Sequence, residues 1–394
     1  MEYGQLMKIN ALYVIIKLVE RCNLNCSYCY YYTPENAEVF TRASLMSDEH
    51  LGEIISYVEN AVDQQPIRRV VFSFHGGEPT LAKAERVRKF CDQAKERLKP
   101  KLEVNFALQT NGVHLSDAWL ALIADEGMGV GISIDGDKAV HDRHRVDHAG
   151  QGSYDRIRKS LNSLLPLSHA GKIRLTALAV MGKDFTGIDF YRHIVDEIGI
   201  RNIKLLFEDR TSDMPPTRNE LVNLGHMLKE IFDYWILHDR NRVEVTLFQS
   251  AVRDILASGI RRRTIEDGIT AGLAVLSDGR VRIPDDYMVA TGWFKAQETL
   301  FLSGSTFSEY MSQASVQEII SSTIQAPEDC QSCSFVSSCA GGEIAHRHTR
   351  SHGFNGKSVY CSALMDFYGH VAMRLDDGRA ELARASAKIA AEIA

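Results

Sequence analysis

Seven of the eight cysteines in this 394-residue chain fall into two groups near its opposite ends. The first, Cys22-Asn23-Leu24-Asn25-Cys26-Ser27-Tyr28-Cys29, places three thiols on one short stretch, and the second supplies four, Cys330, Cys333, Cys339 and Cys361. Three thiols are an odd number for a disulfide framework and one short of a closed zinc site. They can instead hold three irons of a 4Fe–4S cubane and leave the fourth iron open to a ligand from outside the protein. The later four suit either a closed zinc site or a fully ligated second cluster. Cys91, alone in a polar stretch of helical character, reads as a structural thiol.

The chain is 45% hydrophobic and 24% charged, the balance of a globular protein with room for two domains. A formal charge of −6 argues against nucleic-acid or anionic-membrane partners, which need a concentrated basic surface. The local run Arg261-Arg262-Arg263 reads as a solvated face. No secretory signal pattern stands at the N-terminus, and the apolar run from Leu12 to Ile16 is too short to span a bilayer. The expected compartment is the cytosol, where thiols stay reduced and clustered cysteines serve as metal ligands.

Short β-branched runs alternate with stretches of helical period from residue 12 to about 207, the pattern of repeated βα units on a parallel sheet. The strand candidates are Leu12 to Leu18, Val70 to Phe74, Val104 to Leu108, Val130 to Ile134, Ile173 to Val180 and Ile203 to Phe207. Ser47 caps a helix whose apolar residues Leu51, Ile54, Ile55, Val58 and Val62 share one face. Six such units make a partial barrel, and in such folds the chemistry lies on the loops after the strands. The cysteine loop follows the first strand, His75-Gly76-Gly77-Glu78-Pro79 the second, Gln109-Thr110-Asn111-Gly112 the third and Asp135-Gly136 the fourth. Thr217-Arg218-Asn219-Glu220 reads as a capping box opening a helix to about His238, which sets a domain boundary near 215. Beyond it, strands are expected over Val243 to Leu247 and Leu273 to Ile283, and an Ala-rich helix from about Ala380.

The spacing of Cys22, Cys26 and Cys29, with Tyr28 before the last, resembles that of the radical SAM superfamily. There the open iron is chelated by the amino and carboxylate groups of S-adenosylmethionine (AdoMet). The resemblance extends to Gly76, Gly77 and Glu78, matching the loop that contacts the methionine amino group, and to Tyr28, matching an aromatic residue near adenine. Ser133 and Arg145 fall where related enzymes contact the ribose and the carboxylate. Tyr30, Tyr31 and Tyr32 read as packing at a loop-to-helix junction.

The second cysteine group resembles the SPASM extension of radical SAM enzymes that modify peptides. A full SPASM domain carries two auxiliary clusters, but this chain has no cysteine between Cys91 and Cys330, and Glu343 stands where a further cysteine would be. The resemblance therefore implies one auxiliary 4Fe–4S cluster on Cys330, Cys333, Cys339 and Cys361, with the inner site emptied. By the same resemblance, Asp285 replaces a cysteine in the Pro-Cys-Asp run of sulfatase-maturing relatives and Asp286 keeps the aspartate.

The stretches from Cys339 to His348 and from Val140 to Arg145 look most like the FxsB and XyeB type of maturase, which includes triceptide, or three-residue cyclophane, enzymes. That resemblance implies a 5′-deoxyadenosyl radical that takes a hydrogen from the β-carbon of a residue in a ribosomal precursor peptide with a leader. The carbon radical would then add to an aromatic ring two positions earlier, with the auxiliary cluster accepting an electron. Asp286, Asp285 or Glu343 would accept the proton, with His346 and His348 as lesser candidates. A low-potential electron donor of flavodoxin or ferredoxin type is the further partner implied. The alternative enzyme is a formylglycine maturase of sulfatase type, and the alternative from another class is a zinc-stabilised binding protein without redox chemistry.

Overall fold

A computed structural model describes residues 8–257 and 268–393, so the Arg261-Arg262-Arg263 run lies outside the described residues. Ten strands form one sheet, in the order β10-β9-β8-β1-β2-β3-β4-β5-β6-β7. They are β1 (Ile9–Val19), β2 (Arg69–Gly76), β3 (Glu103–Thr110), β4 (Gly129–Ser133), β5 (Arg174–Val180), β6 (Asn202–Leu206), β7 (Glu244–Val245), β8 (Ile269–Val275), β9 (Arg280–Arg282) and β10 (Leu300–Phe301). β1 to β6 pair in parallel and in consecutive order, each joined to the next by helical crossovers, so the six expected βα units are present. This is an α/β fold, a parallel sheet with a C-terminal extension. β1 is buried along nearly its whole length, as a parallel strand covered on both faces must be.

The first crossover helix, α1 (Asp48–Gln64), starts where Ser47 accepts a hydrogen bond from the His50 amide, and buries Leu51, Ile54, Ile55 and Val58 against the sheet. Cys91 is fully buried on α2 (Ala84–Leu98). Phe72 and Phe74 of β2 pack edge-on to Phe90 of that helix and stack on Phe106 of β3. These contacts fix the level at which the strands end.

The extension builds on the same sheet. β8 adds in parallel beside β1, then turns through Leu276 to Gly279 into antiparallel β9. The expected continuous strand from Leu273 to Ile283 is thus a hairpin, its turn made by Asp278-Gly279 with Gly279 at φ +80°. The expected strand from Val243 to Leu247 is also corrected: only Glu244 and Val245 pair, and a helix follows from Thr246 to Leu256. Phe248 and Ala251 are buried there and Leu247, Val252 and Ile255 pack beside them, a helical period that outweighs the β-branched start.

The helix Arg218–Tyr234 opens with the expected capping box, and the C-terminal helix begins already at Cys361 rather than near Ala380. The two pack together through Phe232, which meets Phe367, Phe248 and Trp235 at centroid distances of 5.4 to 5.8 Å. Because Cys361 opens the second of these helices, that aromatic cluster positions the second thiol group. Phe232→Ala is expected to cost about 3–5 kcal/mol, as other buried Phe truncations do, read as a lower denaturant midpoint.

Candidate active site

The cysteine loop leaves β1 and is held from two sides. The amides of Asn25 and Ser27 donate to the carbonyls of Val146 and His144, and a ring nitrogen of His148 hydrogen-bonds the Cys22 carbonyl at 2.9 Å. The Cys22 sulfur receives the Leu24 amide at 3.4 Å and Asn111 Nδ2 at 3.6 Å. Burial first, and then the other two thiols of the loop among its charged neighbours, push Cys22 up to about 12. Gly76 has φ +139°, and a Cβ there would lie 2.2 Å from the Val19 carbonyl oxygen, so only glycine lets β2 approach the start of the loop. A Cβ on Gly77 would strike Tyr32 Oη and the Arg21 carbonyl.

Glu78 turns inward, accepting hydrogen bonds from Thr80, the Thr110 hydroxyl and the Asn111 amide, so its side chain builds the loop that presents Gly76 and Gly77. Tyr28 donates to Asp135, and Arg145 Nε reaches the same carboxylate oxygen at 2.9 Å while its guanidinium lies 5.2 Å from the Tyr28 ring centre. Burial opposes ionisation of Asp135, yet Arg145 and the Tyr28 hydroxyl hold it below the ordinary carboxylate range. Its other oxygen is buried without a partner. Ser133 ends β4 beside this group, half-buried and paired with Leu178 of β5.

On the other side of the strand ends stands a group that sequence reasoning passed over. Lys17 of β1 is fully buried, and the parallel register sets it beside His75 of β2. Its ammonium pairs with Asp285, lies 3.2 Å from His75 Nδ1 and sits 4.2 Å from the centre of the Tyr31 ring. Tyr30 donates to the same Asp285 oxygen at 2.5 Å. Tyr30 and Tyr31 are thus more than packing: one binds Asp285 and the other Glu20, at 2.6 Å. His75 Nδ1 accepts the Gly76 amide at 2.9 Å, so the ring carries its proton on Nε2; burial, then the Lys17 charge, push its pKa down to about 4. A lysine amid the apolar run of β1 was the signal, since a charge in a strand buried on both faces requires a partner.

Burial opposes ionisation of Asp285, but Lys17, His75 and Tyr30 hold it well below the usual range. Asp286 is pushed the other way, up to about 6, by its surroundings and then by the Asp285 charge. Asp209, on the loop after β6, rises to about 7 through burial and then Asp286 and Glu343. Asp209 and Asp286 reach solvent although protein crowds around their carboxylates. The loop after β6 meets the extension where Tyr360 donates to the Glu208 carbonyl at 2.7 Å and Phe207 stacks on His346. Glu343 is exposed with His346 Nδ1 at 3.7 Å, and His346 is buried; His348 lies against Phe354 and Trp293.

Cys330, Cys333, Cys339 and Cys361 line one pocket together with Phe335, Val336, Leu364 and Tyr368. Burial, then the neighbouring Cys361 among other causes, raises Cys339 to about 11. Among the described residues, no three His, Cys, Asp or Glu side chains are placed to hold a single metal ion. An all-thiol lining around an apolar cavity fits an iron–sulfur cluster, each thiolate meeting its own iron. The Asp209 shift yields a test. A carboxyl whose folded pKa of about 7 exceeds its unfolded 3.8 penalises folding progressively as pH rises between those values. Asp209→Asn is expected to melt above the wild type at about pH 8, with the gap closing by about pH 4.

Residues 16–193 match the sequence profile of the Radical SAM superfamily. The cysteine-type anaerobic sulfatase-maturating enzyme of Clostridium perfringens (strain 13 / Type A) is 24% identical over 375 residues, 90% of this chain and 94% of that protein. The serine-type enzyme of Bacteroides thetaiotaomicron is 25% identical over 394 residues, covering 94% and 92%. The structure of native anSMEcpe with bound AdoMet and Kp18Cys peptide superposes with a TM-score of 0.75 at 22% identity, covering 93% of this chain and 98% of that one. These relatives overturn the expectation of a cyclophane-forming enzyme of the FxsB or XyeB type: the maturases matched along nearly the whole chain are those of sulfatases.

Proposed function

We propose that this chain is a radical SAM enzyme that oxidises a cysteine or serine side chain of a peptide to an aldehyde, as a sulfatase-type maturase. One observation carries the reading. Tyr30, the residue after Cys29, is hydrogen-bonded to Asp285, so the cluster loop and a pair of oppositely tuned carboxylates open onto the same space. The similarity to sulfatase-maturating enzymes over 90% of the chain supports it.

Cys22, Cys26 and Cys29 would hold a 4Fe–4S cluster with one iron free for AdoMet, and Cys330, Cys333, Cys339 and Cys361 an auxiliary cluster. When bound, these groups supply abstraction of a hydrogen atom from the substrate β-carbon and an acceptor for the electron left behind. The remaining work falls to the chain. Gly76 and Gly77 bring backbone close to the methionine end of AdoMet, Tyr28 and Arg145 form a face for its adenine and carboxylate, and Ser133 stands on the ribose side. Asp286 takes the proton of the substrate thiol or hydroxyl. Loss of that proton, one hydrogen atom from the β-carbon and one electron leaves a C=S or C=O bond, and water hydrolyses the former to the same aldehyde. A carboxylate tuned to about 6 accepts a proton near neutrality and releases it again, whereas Asp285, held anionic, orients its neighbours. The reducing electron comes from a low-potential flavodoxin- or ferredoxin-type donor.

The test is anaerobic incubation with AdoMet, a reductant and short peptides bearing cysteine or serine, followed by capture of the product with a hydrazide. The reading requires an aldehyde at that residue together with 5′-deoxyadenosine, and AdoMet cleavage without an aldehyde contradicts it. Cys26→Ala is expected to abolish AdoMet cleavage, and Cys333→Ala to lose peptide oxidation more than cleavage. Asp286→Asn is expected to lower peptide oxidation by about 10²–10⁴-fold, the usual range for a general base, while AdoMet cleavage persists.

A further inference from the structure

Two carboxylates adjacent in sequence would ordinarily compete for protons as equals. Here the surroundings are unequal. Asp285 meets Lys17 from β1, His75 from β2 and Tyr30 from the cysteine loop, with Tyr31 beyond the ammonium. Asp286 faces away, towards Asp209 and Lys204 at the end of β6 and Glu343 from the extension, and among the described residues no cation lies within ion-pair distance of it. Of the two lysines among these neighbours only Lys17 is fully buried, and it lies five residues from the first cluster cysteine.

We propose that Lys17 is the positioning residue that divides the two carboxylates, fixing Asp285 as a permanent anion and leaving Asp286 to take up and release the substrate proton. The geometry sets a second consequence. With Lys17 and the Gly76 amide both directed at Nδ1, His75 is a neutral ring with its Nε2–H turned to the open side, where no described group meets it. Removing the ammonium leaves Asp285 as a buried, unpaired charge, which neutralises by taking a proton. Asp285 then keeps only the Tyr30 hydrogen bond to favour its anion, and the Nδ1 of His75 loses one of its two neighbours.

The inference rests on the proposed reaction for its purpose but not for its measurement. Carbon-13 NMR of the full chain labelled at aspartate γ-carbons, without AdoMet or peptide, follows each carboxyl through a pH titration, with Asp285→Asn and Asp286→Asn assigning the signals. In the wild type, Asp285 is expected to remain a carboxylate down to about pH 4 while Asp286 titrates near neutrality. In Lys17→Met, Asp285 is expected to rise by about two units or more into the titrating range. An Asp285 that stays ionised in a folded Lys17→Met chain overturns the proposal. Should that variant not fold, the wild type still decides, because an Asp285 that titrates with Lys17 in place also overturns it. Lys17→Met/Asp285→Asn removes both charges and is expected to restore folding, since replacing a whole buried pair is tolerated where halving it is not. The pH profile of peptide oxidation supplies the functional arm: its acid limb moves in Lys17→Met and stays in place in Lys17→Arg. A chain that never cleaves AdoMet fails the functional reading alone and leaves the NMR result standing.

Discussion

A buried ion pair ties together the parts on which the proposed chemistry depends. Lys17 comes from the first strand, Asp285 from the turn after β9, and the two are separated by 268 residues of sequence. Around them gather His75 from the second strand and Tyr30 and Tyr31 from the end of the cysteine loop. The radical SAM sheet, the cluster loop and the extension therefore share one electrostatic centre. Its value for stability is not obvious, since desolvating two charges costs about as much as their attraction returns. Losing one partner is the expensive event, of order 3–5 kcal/mol in comparable buried pairs, which makes the pair a device for register rather than for net stability.

The sheet explains why this centre forms where it does. Parallel strands joined by helical crossovers bring all their C-terminal ends to one edge, and the Phe72, Phe74, Phe90 and Phe106 cluster fixes the level of β2 and β3 there. β8 adds to the free side of β1 and β9 returns antiparallel beside it, and the segment that follows β9 brings Asp285 against Lys17 of β1. The auxiliary thiols are placed separately, by the C-terminal helix packed on Arg218–Tyr234 through Phe232.

Much of this was legible in the sequence because it is local. The six strands were found to within a few residues, since β-branched runs between helical periods leave little choice, and the Ser47 and Thr217 caps announced their helices. The hairpin at Asp278-Gly279 was read through as one strand although its turn residues stood in view. The helix after Val245 was missed because its period begins only once the strand has ended. Lys17 and Asp285 could not be joined from sequence, because nothing local says which of many carboxylates meets a buried lysine. The reaction type was misread for a related reason: the motif around Cys339 to Cys361 reports how an extension holds a cluster, whereas the reaction depends on the residues at the strand ends.

The central claim is that two thiol groups of different kinds serve one reaction, the first open to AdoMet and the second closed. It is tested most directly by iron and acid-labile sulfide analysis of anaerobically reconstituted protein, alongside the Cys26→Ala and Cys333→Ala chains. The account predicts about eight irons and eight sulfides in the wild type and about four of each in either variant. Zinc in place of iron, or a variant that keeps the full iron content, would contradict it.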